Sequence, residues 1–240
     1  MIVTKEKPLD EILGFLEPYK NILVLGCDGC TQPPRGLKEA EVMGELITLA
    51  GKLKNKGFEV KTFTVSRTCD NNILRRNLTP ELEGIDAVLS MACGIGPQTI
   101  VEVFPDVKVF PGQNTYCYGS DNMEEATFHE RCLGCGNCII YLTDGICPIA
   151  RCSKNLLNGP CGGTTGDGKC EVSKDTDCAW YLIYKLLEAR GQLDRLIEIQ
   201  PIKDWSTSWH GGPRHITRDD LKLTDEPQPE EEEAKEGGGA

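Results

Sequence analysis

No apolar run in this sequence approaches the roughly 18–20 residues that would cross a bilayer. The opening residues, MIVTKEKPLDEIL, hold no continuous apolar leader segment. There is no G-x-G-x-x-G fingerprint and no Walker loop. No basic patch of the kind that follows a phosphate backbone is visible. The three histidines, His129, His210 and His215, have no nucleophile pattern beside them, so no catalytic residue is expected. These gaps argue against a membrane span and against a nucleic-acid partner. The expectation is a soluble, cytoplasmic chain.

Charge is abundant but uneven. The chain carries −11, of which residues 219–240 supply −7 through nine acids and two bases, leaving −4 for residues 1–218. The terminal stretch TDEPQPEEEEAKEGGGA has no apolar pattern and reads as an acidic disordered tail from 219 onward.

Thirteen cysteines are what the sequence has in excess. In a reducing compartment, clustered cysteines bind metal or do redox work more often than they form disulfides.

Up to about residue 119 the chain repeats a strand–loop–helix rhythm. Apolar Ile22–Leu25 leads into GCDGC. A helix is predicted over 37–56, with apolar Leu37, Ala40, Val42, Met43, Leu46, Ile47 and Leu49 and with Gly57 as its cap. EVKTFTVSRTC, IDAVLSMACG and VKVFPGQNTYC read as further strands. The fold class expected is α/β: a mostly parallel, Rossmann-like sheet with helices on both faces. Ligands of such sheets sit beyond the strands' carboxyl ends. Cys27, Cys30, Cys69 and Cys93 all fall there. Cys117 reads as a small buried residue.

From about residue 120 to 218 glycine, cysteine and short loops dominate, closing with an amphipathic helix from Cys178 that breaks near Gly191. Such a segment holds too few large apolar residues for a core of its own, so a bound metal has to supply much of its folding free energy. The last aromatics, in PIKDWSTSWHGGPRHI, are expected to pack back on the fold.

Eight cysteines lie between Arg131 and Cys178. Cys132, Cys135 and Cys138 form C-x2-C-x2-C, and Cys147-Pro148 follows after an eight-residue gap. A triplet of this kind followed by Cys-Pro is the pattern of iron–sulfur proteins. Cys152, Cys161, Cys170 and Cys178 follow at intervals of nine, nine and eight. Eight thiolates suit two four-thiolate sites. Either Cys178 or Cys147 completes the triplet, and sequence leaves both divisions open. Four-cysteine zinc is the rival at one of these sites. Arg67 and Arg131 stand next to candidate ligands and read as solvated bases or as charges near a cluster. Cys27 and Cys30 alone would also suit a dithiol redox pair.

The motifs RCLGCGNC, TDGICPIARCSKNLLNGPCGG, GKCEV, CAWYLIY and DWSTSWHGGPRHI resemble the C-terminal domain of bacterial methylenetetrahydrofolate reductases. With GCDGC, MACGIGPQT and FPGQNT, the resemblance extends over about residues 6–221 to the MetV-type small iron–sulfur subunits of the two-subunit enzymes of acetogens. One departure is that TQPPRG, just after GCDGC, lacks the further cysteine common in that family. The resemblance implies an electron-transfer subunit in a hetero-oligomer. It would carry two or three 4Fe–4S clusters and serve a MetF catalytic subunit whose FMN or FAD reduces methylenetetrahydrofolate. The electron donor implied is ferredoxin, a heterodisulfide-reductase-like complex, a hydrogenase or a nicotinamide-oxidising subunit. The alternative is a zinc-binding assembly subunit without redox chemistry.

Overall fold

The computed structural model describes residues 1–221. The acidic tail expected from 219 lies, from 222 onward, outside the described residues. In chain order the elements are β1 (Ile2–Glu6), α1 (Leu9–Leu16), β2 (Asn21–Cys27), β3 (Thr31–Gln32), α2 (Leu37–Leu53), β4 (Glu59–Val65) and α3 (Asn71–Leu78). Then come β5 (Ala87–Ser90), α4 (Ile95–Val103), β6 (Val109–Pro111), β7 (Gln113–Asn122), β8 (Thr127–Cys132), α5 (Pro148–Arg151) and α6 (Ala179–Ala189). Among the described residues no helix is long and apolar enough to cross a membrane.

The four strands predicted from the strand–loop–helix rhythm form one all-parallel sheet in the order β4-β2-β5-β6. β2 is apolar on both faces because both are covered. Ile22 and Val24 pack with α1 and α2, while Leu23 and Leu25 pack with α3 and α4. A strand buried on two sides loses the polar alternation of a half-exposed one. The chain leaves β2 toward β4 on one side and leaves β5 toward β6 on the other. Between β2 and β5, therefore, the loops diverge and open a crevice at the carboxyl edge.

A second, four-stranded sheet was not foreseen. Its order is β3-β1-β7-β8, with β3 parallel to β1 and the other pairs antiparallel. VKVFPGQNTYC, expected as one strand, is divided at Gly112 between the two sheets. Gly112 donates its N–H to the Ser90 carbonyl (2.7 Å) and accepts from the Lys7 N–H (3.0 Å), so it bridges both. A Cβ there would meet the Met91 sulfur at 2.9 Å and the Ser90 carbonyl oxygen at 3.2 Å, so the two sheets approach closely at this glycine. β7 then runs through Cys117 and past Ser120, where little regular structure was expected, and turns back as β8 to end at Cys132. The expected boundary at 119/120 thus falls inside β7.

Two smaller corrections concern α2. Gly57 is not the cap of α2: Asn55, at φ 53°, takes the left-handed position, and the Lys54 N–H bonds back to Ala50 and Gly51. Asn tolerates that conformation because its short side chain is polar. Of the apolar residues on α2, Ala40, Met43 and Ile47 are buried, but Leu37, Val42, Leu46 and Leu49 are exposed.

Candidate metal centre

Cys27 ends β2, and the GCDGC loop that follows is pinned from three sides. The Cys27 N–H donates to the Arg35 carbonyl (2.7 Å) and the Asp28 N–H to the Val65 carbonyl (2.9 Å). The Asp28 carboxylate accepts from the Thr64 hydroxyl at 2.9 Å. Gly26 lies so close to the start of α2 that an added Cβ would be 2.6 Å from the Gly36 carbonyl oxygen. The loop then enters β3, and the Ile2 N–H donates to the Cys30 carbonyl (2.8 Å). From the far side, the Gly94 N–H donates to the Thr115 hydroxyl on β7 (2.8 Å). The second sheet is therefore tied to the crevice edge of the first.

Cys69 follows β4 and Cys93 follows β5, as the strand-end reading requires. Cys27 and Cys93 are buried; Cys30 and Cys69 are exposed. Partial burial pushes the Cys69 thiol pKa up, and the neighbouring Cys27, Cys93 and Cys30 thiols add to it. Cys69 thus lies within charge-interaction range of the other three at one edge of the sheet. Cys117 is not among them: it pairs with Val3 on β1, and its thiol is pushed up by burial and then by Glu130. Arg67 pairs with Asp70, the N-cap of α3, at 3.1 Å. Arg131 donates to the Ser120 hydroxyl across the β7–β8 hairpin (3.0 Å).

In the cysteine-rich segment four of the eight cysteines line a common cleft. Cys152, Cys161, Cys170 and Cys178 line one small cleft, together with Arg151, Lys154, Thr164, Glu171 and Trp180. Cys147 does not line this cleft. A tight hairpin brings the last two cleft cysteines together: the Cys170 N–H donates to the Thr176 carbonyl (2.9 Å) and the Cys178 N–H to the Gly168 carbonyl (2.9 Å). The wall behind Cys178 is α6, whose Trp180, Ile183 and Leu187 cluster with Cys152, Ile146 and Leu156. Trp180 Nε1 donates to the Leu156 carbonyl at 3.1 Å.

Polar donors already face these sulfurs. The Thr164 hydroxyl donates to Cys178 Sγ (3.1 Å) and the Gly163 N–H to Cys161 Sγ (3.4 Å). The Ser173 and Val172 N–H groups, and then Ser153, draw the Cys170 pKa down, which favours its thiolate. Lys154 pairs with Glu171, and the Cys161 thiol donates to the same carboxylate (3.3 Å).

The triplet begins where β8 ends. The Gly134 N–H donates to Cys132 Sγ at 3.3 Å, and Cys147 Sγ accepts from the Ala150 N–H at 3.4 Å. α5 packs against β8, which returns the chain after Cys147 to the strand that ends in Cys132. The closing segment clamps this loop. Thr207 donates to the Cys135 carbonyl (2.9 Å) and Lys203 Nζ to the Asn137 carbonyl (3.0 Å). At Gly136, φ +78°, any side chain would run into the Thr207 carbonyl. The expectation that the aromatics do the packing needs correcting, since Trp209 is 69% exposed and the holding is polar.

Lys203 escaped the sequence reading. It is 8% exposed, sits 5.6 Å from the Trp205 ring, and has no carboxylate at ion-pair distance among the described residues. Its ammonium bonds the Asn137 carbonyl and lies near the Trp205 ring, and its charge also reaches the neighbouring Asp204 carboxylate. The histidines lie elsewhere: His210 packs tilted against Trp209 and edge-on to Trp205, His129 contacts Thr127, and His215 contacts Thr217.

Among the described residues no three His, Cys, Asp or Glu side chains are placed to hold a single metal ion. Tetrahedral zinc at a Zn–S distance of about 2.3 Å needs its thiolates within roughly 4 Å of one another. A cubane binds each thiolate through a different iron, so its ligands stand farther apart. The chemistry of the donor set, four cysteines about a cleft with N–H and O–H groups near the sulfurs, is that of a thiolate-bound cluster or of four-cysteine zinc.

Residues 110–206 match the family model described as "Methylene-tetrahydrofolate reductase C terminal". The matched span runs from β6 through the hairpin, all eight clustered cysteines, α6 and the start of the closing clamp. The chain matches no curated protein and no solved structure.

Proposed function

We propose that this chain is the electron-transfer subunit, of the MetV type, of a two-subunit methylenetetrahydrofolate reductase. Two or three 4Fe–4S clusters would be held by Cys132, Cys135, Cys138 and Cys147, by Cys152, Cys161, Cys170 and Cys178, and by Cys27, Cys30, Cys69 and Cys93. The observation that carries the reading is the cleft of four cysteines inside the segment that matches the reductase family. One-electron transfer is the chemistry such clusters supply when bound.

The chain's own groups do the rest. Cys170 is held toward its thiolate by backbone N–H groups. Thr164 and Gly163 donate to the sulfurs of Cys178 and Cys161, which stabilises extra negative charge there. Lys203 ties the Cys135–Cys138 loop to the closing segment through the Asn137 carbonyl. Electrons would arrive in the cytoplasm from ferredoxin, a heterodisulfide-reductase-like complex, a hydrogenase or a nicotinamide-oxidising subunit. They would leave to the FMN or FAD of a MetF subunit that reduces methylenetetrahydrofolate.

The test is iron, acid-labile sulfide and zinc per chain in protein purified without oxygen alongside its flavin subunit. About eight to twelve irons with matching sulfide are expected for two or three cubanes. Zinc alone would overturn the proposal and leave a structural assembly subunit.

A further inference from the structure

α2 carries an apolar ridge that the fold does not use. Its buried side is Ala40, Met43, Gly44, Ile47 and Gly51, against the sheet. On the opposite side Val42, Leu46, Leu49 and Leu53 are 51, 39, 57 and 86% exposed. Their spacing of four, three and four is that of a helix–helix seam, not of scattered surface residues. Beside the ridge, between α2 and the edge strand β4, runs a groove lined by Glu45, Thr48, Leu49, Lys52, Val60 and Thr62. Gly44 lets the helix sit low over β4, because a Cβ there would meet the Thr62 methyl at 2.8 Å.

We infer that this ridge is an isologous interface, on which α2 of a second copy of the chain packs antiparallel. Charge selects the occupant and the direction. Glu45 and Lys52 flank the same side of the ridge, and neither has an ion-pair partner among the described residues. With the two helices antiparallel about a twofold axis, Leu46 meets the copy's Leu49 and Val42 meets the copy's Leu53. Glu45 of each chain then lies beside Lys52 of the other, twice over. In a parallel pair the flank that carries Glu45 and Lys52 would lie on opposite sides of the seam in the two chains, and these charges would not meet. The antiparallel pair also opposes the two helix dipoles. One surface is thus complementary to itself, which is what a closed dimer requires.

The inference is independent of what the cysteines bind. It is tested by sedimentation velocity on the full chain, purified anaerobically, over a range of concentrations. The wild type is expected to dimerise, and Leu49→Glu, at an exposed position, to be a folded monomer by circular dichroism. Glu45→Lys or Lys52→Glu alone should weaken the dimer about tenfold or more, since each creates two like-charge pairs. The double exchange, Glu45→Lys with Lys52→Glu, should restore it. A wild-type monomer at every concentration would overturn the inference, and so would a dimer indifferent to Leu49→Glu or a double exchange no better than either single one. Binding of the flavin subunit lost in Leu49→Glu, with the chain alone monomeric, would assign the ridge to that partner instead.

Discussion

The two halves of this chain are held together in different ways. Residues 1–119 bury Ile22, Leu23, Val24 and Leu25 completely between two layers of helices, and only Asn55 and Gly84 leave the usual φ range. Between Gly134 and Gly168 eight residues take positive φ, and the apolar cluster there reduces to α6 and a few side chains around Cys152 and Cys178. A core of the first kind stabilises by the area it removes from water. The second has little such area, and ordering its loops costs conformational entropy that something else must offset. A metal bound by the clustered thiols is what we propose offsets it.

Removing metal should break the comparison most severely. Chelator-stripped protein is expected to lose amide-exchange protection through residues 133–178 while β2 and β5 keep theirs. Equal protection in both halves would mean that the loops hold themselves. Next in size is Leu23→Ala, at a fully buried site, which should cost about 2–5 kcal/mol. All three tryptophans, Trp180, Trp205 and Trp209, lie in the second half. Far-ultraviolet circular dichroism should therefore shift to lower denaturant in this variant, with tryptophan fluorescence moving less. Coincident shifts would show one cooperative unit.

Asp70→Ala should be milder, about 1 kcal/mol. Its carboxylate accepts the Asn72 and Ile73 N–H groups (3.0 and 3.1 Å) that open α3. Thermal melts of Asp70→Ala and Asp70→Asn would separate loss of the cap from a non-specific effect, since Asn caps as well.

The smallest effect is on pH dependence. The Asp86 carboxylate accepts from the Asn21 and Lys20 N–H groups (2.7 and 3.1 Å), which draw its pKa below the ordinary carboxylate range. A depressed folded value means that its stabilisation is present above the unfolded pKa, about 3.9. It is lost as pH falls through the lower folded value. In Asp86→Asn the acid limb of a melting-temperature profile should flatten, with little change at neutral pH.

Much of this was legible because periodicity and burial go together. Continuous apolar strands announced a sheet covered on both faces, and strand-end cysteines followed from that topology. The second sheet was not legible, because β1 and β8 are half-exposed and irregular and Gly112 hides a change of sheet within one apolar stretch. Lys203 was not legible either: nothing in KDWSTSW distinguishes a buried lysine from a solvated one.

What the sequence determined by itself is the parallel α/β half, the helices that cover it, and the supply of thiolates in a C-x2-C-x2-C setting. Those depend on patterns local in the chain. Only the tertiary structure decided that Cys152, Cys161, Cys170 and Cys178 share a cleft while Cys147 stays outside it. It alone showed that Leu46 and Leu49 face outward while Ile47 faces the core. Partners far apart in sequence are chosen by packing and by hydrogen bonds across the fold, and no spacing rule along one chain contains that information.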